Sequence, residues 1–128
     1  MSEHGMFTWN ELWTHKVEEA KAFYAKTIGW SFDAMPMGDR TYWVAKANGK
    51  PAGGIMDVSG YELPGAPPRW VSYLAVDDVD ERLKGLSKAG GKVVRDPFDI
   101  PGVGRIALVE DSAGAKMGWM TPEDMRKK

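Results

Sequence analysis

The chain has 128 residues, room for one domain of ordinary size, and its 17 Lys plus Arg nearly cancel 18 Asp plus Glu to leave a net charge of −1. A composition that is 43% hydrophobic and 27% charged is globular, and the balanced charge excludes the basic face that nucleic-acid binding needs. The absence of cysteine excludes disulfides, thiolate nucleophiles, zinc knuckles and iron–sulfur clusters, and the two histidines, His4 and His15, leave little for a multi-histidine metal site.

Phe7–Thr14 (FTWNELWT) is aromatic and alternating, which predicts a strand. Val17, Ala20, Phe23, Tyr24 and Ile28 then recur at helical spacing and leave Glu18, Glu19, Lys21 and Lys26 outside, so Val17–Ile28 reads as an amphipathic helix. Thr14 or His15 is expected to cap it and Gly29 to stop it. Trp30, Phe32 and Ala34 alternate as a half-buried strand, Thr41–Ala47 is another, Asn48-Gly49 is a hairpin turn, and Gly53–Val58 is a third strand. Ser59–Arg69 (SGYELPGAPPR) holds three of the eight prolines and reads as a linker.

Trp70–Val76 is again a strand. Asp77 or Asp78 caps a helix expected to reach about Ala89, with Val79, Leu83 and Leu86 on its apolar face, and Asp78 and Glu81 have capping-box spacing. Gly90-Gly91 ends it, and strands follow over Lys92–Arg95, Val103–Glu110 and Ala115–Met120, with Asp111–Gly114 as a turn. Thr121–Lys128 is a charged tail, frayed or a helical stub with Pro122 at its first position. No run reaches the roughly 18 apolar residues of a membrane helix. The opening MSEHGMF lacks the basic and apolar regions of a secretion signal, so a cytoplasmic protein without a membrane partner is expected.

Each half thus reads β-α-β-β-β. Module one covers about 6–58, the linker about 59–69, module two about 70–120 and the tail 121–128 of a single domain over 1–128. An offset of 65 lays Arg40 on Arg105, Gly49 on Gly114, Gly53 on Gly118 and Ile55 on Met120; an offset of 62 lays Trp9 on Val71, Glu11 on Tyr73 and Trp13 on Ala75. One sheet face of each half lies under its helix, and the other must meet the second half or a second chain.

This duplicated order resembles the vicinal oxygen chelate superfamily, which includes glyoxalase I, bleomycin-resistance proteins and extradiol dioxygenases. The resemblance rests on Ala22-Phe23-Tyr24 before Gly29-Trp30, on Val76-Asp77-Asp78-Val79-Asp80, on Gly90-Gly91 and on Asp111–Gly114. Trp9–Leu12, Gly53-Gly54-Ile55 and Asp99–Arg105 look like its glyoxalase-like subgroup, whose members often carry two such domains. The resemblance implies an α+β fold, two βαβββ modules whose sheets curl into a cup holding the ligand, and a homodimer.

Active members of the superfamily hold a divalent metal in the cup through His, Gln or Glu on the first and last strand of each module, and the metal activates vicinal oxygens of the substrate. The first-strand ligand lies seven residues before the helix-capping Asp of the family, whose place Lys16 takes in module one and Asp78 in module two, which gives Trp9 and Val71. The last-strand ligand lies seven residues past the turn Asp, which gives Gly118 and its match Gly53. None of the four side chains can ligate a metal, so no metal or other cofactor is expected unless the strand register differs.

With that register, Trp9, Glu11, Trp13, Val71, Tyr73, Gly118, Met120, Gly53 and Ile55 line an apolar, aromatic cup. Glu11 between two Trp rings would be desolvated, which raises a carboxyl pKa and suits a general base; the alternative is a structural pair with Arg105 or Arg40. Arg105 after Pro101–Gly104 reads as an anion grip at the rim or as an ion-paired surface residue. The function expected is a metal-free, glyoxalase-like binder of a small hydrophobic or aromatic metabolite or drug. The alternatives are a lyase or isomerase with Glu11 as base, a metal-dependent glyoxalase or dioxygenase in another register, and an interaction domain.

Overall fold

The computed structural model describes residues 3–37, 40–59, 67–100 and 103–126, without the side chains of 37, 125 and 126. Among them the chain runs β1 Phe7–Thr14, α1 Val17–Ile28, β2 Ser31–Met37, β3 Arg40–Ala47, β4 Lys50–Asp57, β5 Arg69–Ala75, α2 Val79–Leu83, β6 Lys92–Ile100, β7 Gly104–Glu110, β8 Lys116–Pro122 and α3 Glu123–Arg126. The fold is α+β, and β-α-β-β-β occurs twice, as expected. The chain divides into two compact units, Trp9–Val71 and Met1–Thr8 with Ser72–Lys128. Most of the expected linker, residues 60–66, lies outside the described residues, as do Pro101 and Gly102 before Arg105 and the last two residues of the tail.

In the unit Trp9–Val71 the strands lie in the order β2-β3-β4-β1, with β1 and β4 parallel and the other pairs antiparallel. Asn48 and Gly49 close the β3–β4 hairpin with φ of 53° and 78°, the left-handed pair that a two-residue turn requires. Beyond it Lys46 pairs with Pro51 but Ala45 with Gly53, so Ala52 is an extra residue, a β-bulge. Strand β4 therefore begins at Lys50, three residues before the expected start. Leu12, Trp13, Ile55 and Met56 are buried in this unit's core, each large apolar side chain contributing about 1.5–3 kcal/mol.

Helix α1 has the expected bounds, with Glu18 and Glu19 in its first turn, Lys26 in its last, and Gly29 ending it at φ 77° with its N–H on the Tyr24 carbonyl. The cap differs from expectation. Lys16 is the N-cap residue and makes no side-chain cap bond, whereas Thr14 Oγ1 accepts the Lys16 N–H at 3.0 Å, one residue earlier. The apolar stripe is also rotated. Val17, Ala20, Lys21 and Tyr24 are half-buried, at i, i+3, i+4 and i+7, while Phe23 and Ile28 are 57% and 58% exposed. Lys21 displaces the expected apolar face because its ammonium lies over the Trp43 ring, 3.1 Å from the centroid.

The second unit repeats the order as β6-β7-β8-β5, with β5 and β8 parallel. Asp78 caps α2 as expected, its carboxylate accepting the Glu81 N–H at 3.2 Å. The Val79 N–H is taken by the buried Thr121 hydroxyl at 2.9 Å, which satisfies a second N-terminal donor. The helix stops at Leu83 instead of Ala89, because Gly85 follows and residues 84–90 continue in single turns. Val79 and Leu86 are buried and Leu83 packs with Trp119 against Val76, Val79 and Ala107, so the expected apolar face holds although the helix is short. Strand β6 runs to Ile100, five residues past the expected end; irregular pairing around Val93–Phe98 accommodates Pro97. The last strand takes in Thr121 and Pro122, so among the described residues of the tail only Glu123–Arg126 is helical. No helix among the described residues is long and apolar enough to cross a membrane.

Candidate functional site

Parallel partners point to the same face, so pairing places the candidate side chains. In the first unit Glu11 pairs with Gly54, Leu12 with Ile55 and Trp13 with Met56. Trp9, Glu11, Trp13 and Gly54 therefore share one face, and Gly53 and Ile55 lie on the other, beside α1. This corrects the expected lining. In the second unit Tyr73 pairs with Gly118 and Ala75 with Met120, so Tyr73, Gly118 and Met120 share a face as expected. Glu11 and Tyr73 hold equivalent places at offset 62, but the partner of Gly118 is Gly54, not Gly53. The Ala52 bulge adds one residue to β4 that β8 lacks and shifts the offset from 65 to 64.

The first unit builds a hydrogen-bonded aromatic cluster on that face. Trp13 Nε1–H donates to Glu11 Oε2 at 2.8 Å, and both residues are buried, Glu11 being 2% exposed. Tyr42, two strands away on β3, lies across Gly54; its hydroxyl accepts the Trp9 Nε1–H at 2.8 Å and is hydrogen-bonded to Glu11. Burial first, and then the Glu11 charge, push the Tyr42 phenol well above its ordinary pKa, so it stays a neutral donor. Glu11 is thus a carboxylate oriented by an indole N–H and a phenol O–H. At the edge of the cluster Arg69 lies 5.2 Å from the centroid of the Trp13 ring. Val71, two residues on, is buried on the same side of β5 as Arg69.

Tyr42 is the site residue that the sequence did not reveal. Its face depends on the β3–β4 register, which the bulge had hidden. The signal that finds it is Gly54. A methyl group there would overlap the phenol, and a glycine in a central strand marks such a close approach. The same holds at Gly118, where a methyl group would overlap the Tyr73 ring.

Arg105 is placed elsewhere. It pairs with Thr121, on the face of β7 and β8 opposite to Met120, and so lies away from Tyr73 and Gly118. Its Nε donates to Asp80 at 2.8 Å and its Nη1 to Asp99 at 3.2 Å, with the side chain 30% exposed. Hydrogen bonds from this guanidinium to Asp80 and then Asp99 outweigh desolvation and raise its pKa, so its cation is bracketed by two carboxylates. Arg40, the other candidate partner for Glu11, donates to the backbone carbonyls of Asp57, at 2.8 Å, and Ser59.

The residues do not fit a metal. With Lys16 and Asp78 as the observed N-caps, the first-strand places remain Trp9 and Val71. The last-strand places are Gly118 and, by pairing, Gly54. None offers a ligand atom. In the first unit the two places are joined by the Trp9–Tyr42 hydrogen bond, the phenol standing over the glycine. Among the described residues no three His, Asp or Glu side chains are grouped as a cation would need.

Comparison with known proteins agrees with this architecture. The family model of the Glyoxalase/Bleomycin resistance protein/Dioxygenase superfamily matches residues 6–117. The chain is 38% identical over 123 residues to "Putative glyoxylase CFP32" of Mycobacterium tuberculosis (strain CDC 1551 / Oshkosh), covering 95% of this chain and 46% of that protein. It is 30% identical over 123 residues to the anthracycline biosynthesis protein DnrV of Streptomyces peucetius, covering 87% of this chain and 45% of that one. The chain thus spans about half the length of these relatives. Among solved structures, methylmalonyl-CoA epimerase from Mycobacterium tuberculosis superposes with a TM-score of 0.63 at 16% identity, covering 100% of this chain and 97% of that one, a likeness of fold.

Proposed function

We propose, given that the chain belongs to the Glyoxalase/Bleomycin resistance protein/Dioxygenase superfamily, that it binds a small hydrophobic or aromatic molecule on the Trp9–Trp13–Tyr42 face without a metal. The observation that carries this reading is the bridge from Trp9 through Tyr42, standing over Gly54, to Glu11. It puts rings and hydrogen-bond donors where metal ligands would stand. Flat apolar walls with few oriented polar groups suit a planar ligand. The relative named for anthracycline biosynthesis supports the ligand class, since anthracyclines are flat polycyclic aromatics.

An anthraquinone sulfonate is a water-soluble probe of that class. Titrated into EDTA-treated protein, it should bind and quench tryptophan fluorescence, and added Mn2+ should leave the affinity unchanged. Trp9→Ala removes a stacking surface, worth about 0.5–1.5 kcal/mol beyond area, and should weaken binding by about tenfold. Binding that appears only with metal, or that ignores Trp9→Ala, would overturn the reading.

A second reading has its own observation. Glu11 is buried, oriented and paired with a phenol that holds its proton, an arrangement suited to proton removal from a carbon acid. Glu11→Gln separates the two: a binder keeps its ligand, while a lyase or isomerase keeps binding and loses turnover. Membership of this superfamily supports a homodimer, which light scattering of the eluting protein tests.

A further inference from the structure

The second unit holds a partly open cavity of about 390 Å3 on the opposite side of β8 from Gly118 and Met120. One wall is the stretch of single turns after α2, including Leu86 and Ala89, and the other is the β7–β8 sheet with Val109, Met117 and Trp119. The charged groups at its edge are already engaged. Arg82 holds Asp77 through two bonds of 2.8 Å, Glu110 faces Lys92 at 3.7 Å, and Asp111 accepts the N–H groups of Ala113 and Ala115 at 2.9 and 3.0 Å. The Trp119 indole is not: its Nε1–H is buried with no hydrogen-bond partner. An indole donor left unmade is a standing cost that an acceptor removes.

We infer that this cavity is a second binding site, for a small uncharged planar molecule with one strong hydrogen-bond acceptor, the chemistry of an aryl ketone. The volume lies within the range of small-molecule sites, and the apolar wall of Leu86, Val109 and Met117 matches a ring. The acceptor is what Trp119 selects. The N–H is closed to water in this structure, and residues 84–90 are the part that yields to admit a ligand. They are held by bonds such as Leu86 N–H to Leu83 at 3.1 Å and Gly85 N–H to Arg82 at 3.3 Å, not by a continuous helix. The site is independent of the Trp9–Tyr42 cluster, which lies in the other unit.

Acetophenone and ethylbenzene share a ring and differ in the acceptor, so they test the assignment on the full wild-type chain by 1H–15N NMR. Trp119→Phe identifies the Trp119 indole resonance, and the assigned amides of Leu86, Ala89 and Met117 report the cavity without any substitution. Acetophenone should shift those amides saturably and move the Trp119 indole proton downfield, binding about fivefold or more tighter than ethylbenzene. Equal affinity for the two, shifts confined to residues outside the cavity, or no saturable shift would each overturn the inference.

Discussion

Gly54→Ala tests the packing of the phenol over the β4 backbone. A methyl group at Gly54 would overlap the hydroxyl and ring carbons of Tyr42, a residue that is only 5% exposed. Overpacking of a filled core costs about 1–3 kcal/mol. A displaced hydroxyl also leaves Trp9 and Glu11, and lost buried hydrogen bonds cost about 1–3 kcal/mol more. Replacing a strand glycine returns roughly 0.5–1 kcal/mol. The net loss is about 1–5 kcal/mol, and with an unfolding entropy of about 0.27 kcal/mol/K for a chain of 128 residues, Tm should fall by about 4–18 °C. Calorimetry of wild type, Gly54→Ala, Tyr42→Phe and the double variant separates the contributions. Without the hydroxyl there is no bond left to break, so Gly54→Ala should cost about 1 kcal/mol less in the Tyr42→Phe background. Gly85→Ala is the control, because a methyl group there meets nothing. Additive losses for Gly54 and Tyr42, or a Gly54→Ala protein that melts with wild type, would refute the packing.

Two predictions concern pH. Bonds from Arg82, followed by its charge, hold the Asp77 carboxyl at about 2, below its unfolded value of 3.8, so its stabilising effect is present above about pH 4 and lost as pH falls through about 2. Urea unfolding from pH 6 to 2 should show Asp77→Asn less stable than wild type at the upper end and the gap mostly closed at the lower; a gap that does not narrow counts against the pairing. Tyr42 shifts the other way. Burial and then Glu11 raise its pKa, the unfolded chain releases that proton near pH 10, and stability should therefore fall as pH rises above 10. Phenolate absorbance should show a late ionisation step, arriving as the chain unfolds, whose amplitude falls in Tyr42→Phe. If that variant keeps the full amplitude, Tyr42 is not part of the step.

The alternation of FTWNELWT and the helical spacing of Val17 to Ile28 gave β1 and α1 their observed bounds, and Gly29 stopped the helix by the left-handed turn expected of it. Local pattern was sufficient there because each element is set by its own residues. It was not sufficient where a second strand decides. The extra Ala52 moves every later β4 residue to the opposite face, so aligning Gly53 with Gly118 by letter chose the wrong glycine and left Tyr42 without a face. Helix α2 looked longer because Leu86 keeps the apolar spacing, but spacing does not register the cost of Gly85. The placement of Arg105 depends on Asp80 and Asp99, which come from α2 and β6, and no local signal links all three.

The roofed glycines bear on redesign of the two units. In the first unit the ring over the backbone comes from β3, through Tyr42; in the second it comes from the paired strand β5, through Tyr73. The two modules cover the equivalent strand place with rings from different strands, so one redesign does not serve both. A histidine or glutamate introduced at Gly54 has no room until Tyr42 is trimmed, and Tyr42 trimmed first leaves a void and strips a donor from Glu11. Whichever step comes first lowers stability before any ligand set is complete. Installing a metal ligand at either glycine therefore takes coupled substitutions within its own unit, a separate set for each module.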